Sequence, residues 1–157
     1  MKKQQQLVAF SLDDSKFALH LLAVQRIVRV VEVTILPKAP DIVVGIINLQ
    51  GQLIPVFDLR MRFGLPTRET RLNDQMIIAT TVKRTVALIV DSVDDVIETP
   101  AEHIFAAEKI LPDLEYVEGV LKMEDGMVFI HDLERFLSPW EEKALCQALE
   151  EVPRDER

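Results

Sequence analysis

The chain of 157 residues contains one cysteine, five glycines and few aromatics (6%). A single Cys146 permits neither an internal disulfide nor a cysteine-built metal cluster. That economy suits a reducing cytoplasm. The glycines Gly45, Gly51, Gly64, Gly119 and Gly126 stand alone, and none is followed by Lys-Ser or Lys-Thr. A phosphate-cradling loop needs clustered glycines so that backbone N–H groups can approach the anion. Isolated glycines fit turns and bulges instead. Basic residues are also short: 18 Lys and Arg against 26 Asp and Glu give a net charge of −8. No basic run is longer than two residues, so nothing offers the positive face that nucleic acid or anionic lipid would need. No apolar run approaches the roughly 18 residues of a membrane span. Met1–Gln6 opens like a signal peptide, but Asp13 and Asp14 arrive before an apolar region can form. The expectation is a cytoplasmic protein that binds no nucleic acid and does not insert into membrane.

Reactive constellations are equally scarce. His20, His103 and His131 are scattered singly, without the i, i+4 spacing that turns two imidazoles toward one metal. Each reads as a structural histidine with its hydrogen bonds satisfied. Asp91, Asp94 and Asp95 lack the alternating donors, glycine and closing Glu of a calcium loop. Cys146, beside Leu145 and Leu149, reads as core or boundary. Asp58 and Asp132 form a conceivable carboxylate pair for hydrolysis, yet both stand at helix-start positions where capping accounts for them. No catalytic residue, cofactor or metal ligand is expected.

What the sequence has in quantity is short β-type segments. Leu7–Leu12, Ile46–Leu49, Leu53–Phe57, Met76–Val82, Val86–Val90, Val117–Met123 and Met127–Ile130 are rich in Val, Ile and Leu and separated by turn residues. With no long helical pattern between them, they predict a barrel or sandwich. Asp58–Phe63 and Asp132–Leu137 each read as a short helix after a strand. Ser138, Pro139 and Glu141 predict a capped C-terminal helix. Its apolar stripe is Trp140, Ala144, Leu145, Ala148, Leu149 and Val152, with fraying expected from Val152 to Arg157. The pattern also repeats. Phe17-Ala18-Leu19…Val24-Gln25-Arg26-Ile27 aligns with Val86-Ala87-Leu88…Val93-Asp94-Asp95-Val96. Gly45-Ile46-Ile47…Gly51…Val56-Phe57-Asp58-Leu59 aligns with Gly119-Val120-Leu121…Gly126…Ile130-His131-Asp132-Leu133. Two halves this small should share a core.

The run from Pro37 to Arg60, with Pro37-Lys38-Ala39-Pro40, Gly45-Ile46-Ile47-Asn48-Leu49-Gln50-Gly51 and Pro55-Val56-Phe57-Asp58-Leu59-Arg60, resembles the signature of CheW-like domains. Val86–Val93 is similar to the family's second-half strand ending in Val-Asp-x-Val. The likeness extends over about Leu7–Leu137. It implies an all-β fold with short helices: two intertwined five-stranded OB-like β-barrel subdomains plus a C-terminal helix. The expected subdomains are residues 16–82, and 7–15 with 83–137, with the helix at 138–152. It further implies a non-catalytic adaptor that couples the cytoplasmic tip of chemoreceptors to the regulatory domain of a CheA-type histidine kinase, standing alone rather than fused as in the CheV type.

Two positions depart from that pattern. Gln50 replaces the usual Arg of Asn-x-Arg-Gly, and Arg26 replaces the usual Glu of Val-x-Glu-Ile. The resemblance places the partner-binding surface at Val24, Arg26, Gly45, Gln50 and Val86. Read bottom-up, Val24 and Val86 are equally ordinary core valines and Gly45 a turn glycine. The polar Arg26 and Gln50 are the stronger surface candidates. Competing readings are an adaptor of a non-motility chemosensory pathway and a small-barrel ligand-binding module. The low aromatic content counts against a stacking platform.

Overall fold

The computed structural model describes residues 4–106, 116–124 and 126–152. In chain order the strands are β1 (Gln4–Leu12), β2 (Ser15–His20), β3 (Val24–Arg29), β4 (Val43–Leu49), β5 (Gln52–Asp58), β6 (Gln75–Thr80), β7 (Thr85–Val90), β8 (Ser92–Pro100), β9 (Ile104–Ala106), β10 (Val117–Met123) and β11 (Gly126–His131). They form two sheets. The first has the order β3-β6-β7-β5-β4 and the second β8-β1-β2-β11-β10-β9. The second therefore has six strands where five were expected, because β8 runs on through a single 3-10 turn into the short β9. The strand pairing leaves both sheets open. In the first, an isolated bridge from Thr34 to Ile46 joins the chain leaving β3 to β4 at the sheet's far end.

The sequence repeat is visible in the pairing itself. Gln25 is bulged out of β3 against β6, and Asp94 out of β8 against β1. Val44 and Glu118 are the bulged residues of β4 and β10. The parallel ladders also match: Val56 faces Ala87 in one sheet, and Ile130 faces Ala18 in the other. Each repeat thus lends its first strand to the sheet of the other. By sheet membership the divisions fall between β2 and β3 and between β7 and β8. The expected limits at 15/16 and 82/83 cut instead through the β1–β2 and β6–β7 hairpins. Tight hairpins keep such neighbours together.

One buried cluster lies between the sheets and holds Phe10, Leu12, Phe17, Phe57, Leu59 and Leu88. Two smaller ones are private to each sheet, around Ile54 and Met76 in the first and around Leu7 and Leu121 in the second. The expected shared core is there. Pro55, which the sequence would put on an edge strand, is on the internal β5. It lies just before the ladder to β7, which covers only Val56–Asp58.

Helix α1 (Leu59–Arg62) begins as expected, with the Asp58 carboxylate accepting from the Arg60 N–H at 2.9 Å. Its counterpart at 132–137 is a turn, not a helix. The Asp132 carbonyl accepts from the Arg135 N–H at 3.3 Å, and Leu133 and Phe136 are still buried. Ser138, the residue before Pro139, is extended as such residues usually are, with φ −68°, ψ 161°, so this turn does not run on into the helix that follows. Helix α2 (Pro139–Glu150) carries the full capping box between Ser138 and Glu141. It buries Leu145 and Ala148, with Val152 just beyond, in the shared core. Trp140 leaves the expected stripe and is 70% exposed, and Cys146 is likewise exposed rather than core. Arg62 from α1 pairs with Glu141, and Arg84 from the β6–β7 turn pairs with Glu142, so two ion pairs fix the helix. Of the fraying expected from Val152 to Arg157, Val152 departs by packing in the shared core, and 153–157 lie outside the described residues.

Candidate functional site

The β4–β5 hairpin closes through two residues, Gln50 and Gly51, with φ of 54° and 86°. Positive φ at both positions is the turn that matches strand twist. The Asn48 side chain supports it by accepting from the Gly51 N–H at 2.9 Å. This geometry puts Gln50 at the tip, where Arg26 Nη2 donates to its Oε1 at 3.2 Å. Both residues are exposed.

The other three residues of the expected surface lie deeper. Val24 is half-buried against the shared core. Val86 is 1% exposed and belongs to that core. Gly45 is buried, and a Cβ there would stand 2.2 Å from the Thr34 carbonyl oxygen. The backbone of Thr34 lies against β4 in the bridge to Ile46, with N···O distances of 2.9 and 2.7 Å in the two directions. Gly45 is thus a close-approach glycine. Of the five residues, the fold brings Arg26 and Gln50 together at the surface and uses Gly45 and Val86 for packing.

A second constellation was not legible as a site. Arg60 reaches both oxygens of Asp91 at 2.6 and 2.7 Å and Asp13 at 2.8 Å. Arg68 grips Asp74 with two hydrogen bonds of 2.8 and 2.9 Å and touches Asp91 at 2.6 Å. Burial alone would raise the Asp91 and Asp74 carboxyls, but the guanidiniums beside them hold both below the usual carboxylate range. Asp13 lies in the β1–β2 turn and Arg60 on α1 after β5, so the network ties one sheet to the other. The signature residues Arg60 and Asp91 were visible in the sequence. Nothing in the spacing of Arg68 and Asp74 announced their part.

His131 is buried, stacked edge-on between Phe63 and Phe136, and neither ring nitrogen has a hydrogen-bond partner. It is structural, as expected, but not satisfied. Burial and the nearby Arg62 charge push its pKa down to about 3. His20 bonds to Glu118, the bulged residue of β10, and that bond raises its pKa against the opposing effect of burial. Among the described residues no group of three or more His, Cys, Asp or Glu side chains is placed to hold a metal ion. No helix among them is long and apolar enough to cross a membrane.

With the fold and these clusters in hand, comparison with known proteins is decisive. The model of the CheW-like domain matches residues 6–139. The chain belongs to the CheW family. It is 30% identical over 141 residues to a probable chemotaxis protein CheW of Rhizobium etli, covering 88% of this chain and 91% of the relative. It is 32% identical over 143 residues to the chemotaxis protein CheW of Klebsiella aerogenes, covering 90% and 86%. The crystal structure of scaffolding protein TtCheW from Thermoanaerobacter tengcongensis superimposes with a TM-score of 0.80 at 32% identity, over 90% of this chain and 92% of that one. CheW membership makes this chain a chemotaxis coupling adaptor. Within the CheW frame, the Arg60–Asp91 pair joins two stretches that carried the sequence resemblance.

Proposed function

We propose that this CheW-family chain works without catalysis in the cytoplasm, holding the cytoplasmic tip of chemoreceptors to the regulatory domain of a CheA-type histidine kinase. Its two halves act as intertwined barrels, rigid enough to present separate faces to the two partners. The observation that carries the reading is the exposed Arg26–Gln50 contact, set on a frame where Gly45 and Val86 are buried. Arg26 and Gln50 form the core of one partner surface, with Val24 at its margin. Gly45 and Val86 support that surface from below.

At this surface the usual acid is a base and the usual base is neutral. Like charges misplaced across an interface cost several kcal/mol and decide between partners. The adaptor is matched to its own receptors and kinase. Titration of the purified protein against the regulatory domain of the CheA-type kinase of the same genome tests the reading. Micromolar binding is expected, since valency multiplies weak contacts in an array. No binding at that level would refute the role.

A further inference from the structure

The two halves carry the chain from one sheet to the other at equivalent places and fix it there by different chemistry. From β7 to β8 it passes through Asp91, which Arg60 and Arg68 hold. From β2 to β3 it passes through the 3-10 turn Leu21–Ala23. Aligning Phe17-Ala18-Leu19 with Val86-Ala87-Leu88 sets Leu22 against Asp91, and the repeat sets Glu134 against Arg60. Leu22 is fully exposed, and Glu134 accepts from the Val82 N–H, so the guanidinium clamp is not repeated here. Nor does the turn hold itself: none of its three residues is buried, and no side chain caps it.

What stands there instead is His20, the last residue of β2, bonded to Glu118 of β10. Their counterparts in the first half are Ile89 and Val44, which line one cavity with Asp58. The match is structural. Val44 and Glu118 are both bulged residues. One parallel ladder brings Ile89 level with Asp58, and the other, extended by two residues, brings His20 level with Asp132. Around the imidazole, β10 offers Glu118 and β1 the uncharged Leu7. Asp132, just past β11, lies in the field of Glu118 and has Arg135 at 4.0 Å. Lys16 shares β2 but stands four residues back, about 13 Å along the strand.

We propose that His20 and Glu118 form a proton-operated latch on the β2–β3 crossover. Protonated His20 clamps the end of β2 to β10. The neutral ring can still donate to Glu118, but a charge-assisted bond is roughly twice as strong. The bond to Glu118 raises the His20 pKa above its ordinary value, against the opposing effect of burial. The latch is therefore closed below about pH 6.5 and slackens as pH rises through the folded value. The Asp91 crossover, held by guanidiniums that keep their charge throughout, is indifferent to that change. This device goes beyond coupling of receptor to kinase, because it acts on the frame itself and needs neither.

Imidazole NMR and amide exchange of the full chain between about pH 6 and 9 test it. The reporter is the Val24 N–H, which closes the 3-10 turn on the Leu21 carbonyl. The control is the Asp91 N–H, bonded to the Ser11 carbonyl at 3.0 Å. Corrected for intrinsic exchange, protection at Val24 is expected to fall by about threefold or more, the factor of one modest hydrogen bond. The fall should follow the His20 midpoint, which lies above about 6.5. Protection at Asp91 should stay constant. Glu118→Gln should bring the His20 midpoint to about 6.5 or below and leave Val24 protection low and flat. His20→Ile with Glu118→Val, which installs the first-half pair, should leave it flat as well. A wild-type midpoint at or below about 6.5 overturns the proposal. So does Val24 protection that ignores the midpoint, a parallel fall at Asp91, or a pH dependence that survives Glu118→Gln. The wild type alone decides the first three outcomes, so a variant that fails to fold does not protect the idea.

Discussion

Arg60 holds both carboxylate oxygens of Asp91, at 2.6 and 2.7 Å, and its side chain is only 8% exposed. A buried pair adds little net stability over an apolar pair of the same shape, but removing one partner strands the other charge. Arg60→Ala should therefore destabilise by about 3 kcal/mol, near the lower end for buried pairs because Asp91 remains partly open to solvent. Urea denaturation measures it. A double-mutant cycle with Asp91→Ala should show a combined loss smaller than the sum of the single losses.

At the surface pair the opposite balance holds. Arg26→Glu together with Gln50→Arg should change stability by no more than about 1 kcal/mol, the range of an exposed ion pair. The same double variant should alter binding to the cognate kinase domain and receptor tip. Complementation of an adaptor-deletion strain from a distant species reads the biological effect. Rescue by the double variant and not by the wild type is the expected outcome.

Gly45 separates packing from recognition. Gly45→Ala puts a methyl group 2.2 Å from the Thr34 carbonyl oxygen, so the bridge between Thr34 and Ile46 must open. A loss of about 1–3 kcal/mol is expected, the usual cost of forcing an extra methyl into a tight fit. Hydrogen exchange should quicken at the Thr34 and Ile46 amides.

The two histidines make opposite contributions with pH. His131 has a folded pKa of about 3, below the 6.5 of an unfolded histidine. Its contribution is intact above pH 6.5, and stability falls by up to about 1.4 kcal/mol per pH unit on acidification toward pH 3. His20 is shifted upward by its bond to Glu118. Its contribution is fully present below pH 6.5 and is lost as pH rises through the folded value. Denaturation of His131→Leu should show a shallower acid slope, with no hydrogen bond forfeited at neutral pH. His20→Gln should cost stability in acid and little in alkali.

Much of the strand pattern was legible because alternating Val, Ile and Leu runs and turn residues are local signals. The Ser138 capping box and the Asp58 cap were legible for the same reason. The helix expected at Asp132 is a turn instead, a difference that its local cap and apolar spacing did not announce. Trp140 and Cys146 were misplaced because helical periodicity gives an apolar arc but not where the arc meets the sheets. Most hidden were the partners of Arg68 and the loneliness of His131, which depend on tertiary proximity. For the surface pair, the two departures from the family pattern pointed to positions that turn out to touch.

The exchange of first strands between the sheets has a consequence for how the molecule is made. β2 lies parallel to β11, bringing Phe17 beside Phe129, so the second sheet is complete only once β11 has been made. Until then the β1–β2 hairpin waits with apolar residues exposed. Long-range parallel pairing is slow, because loop closure must precede its reward. A cut between β7 and β8 leaves the first sheet complete in one fragment but separates β8–β11 from β1 and β2, so the second sheet needs both pieces.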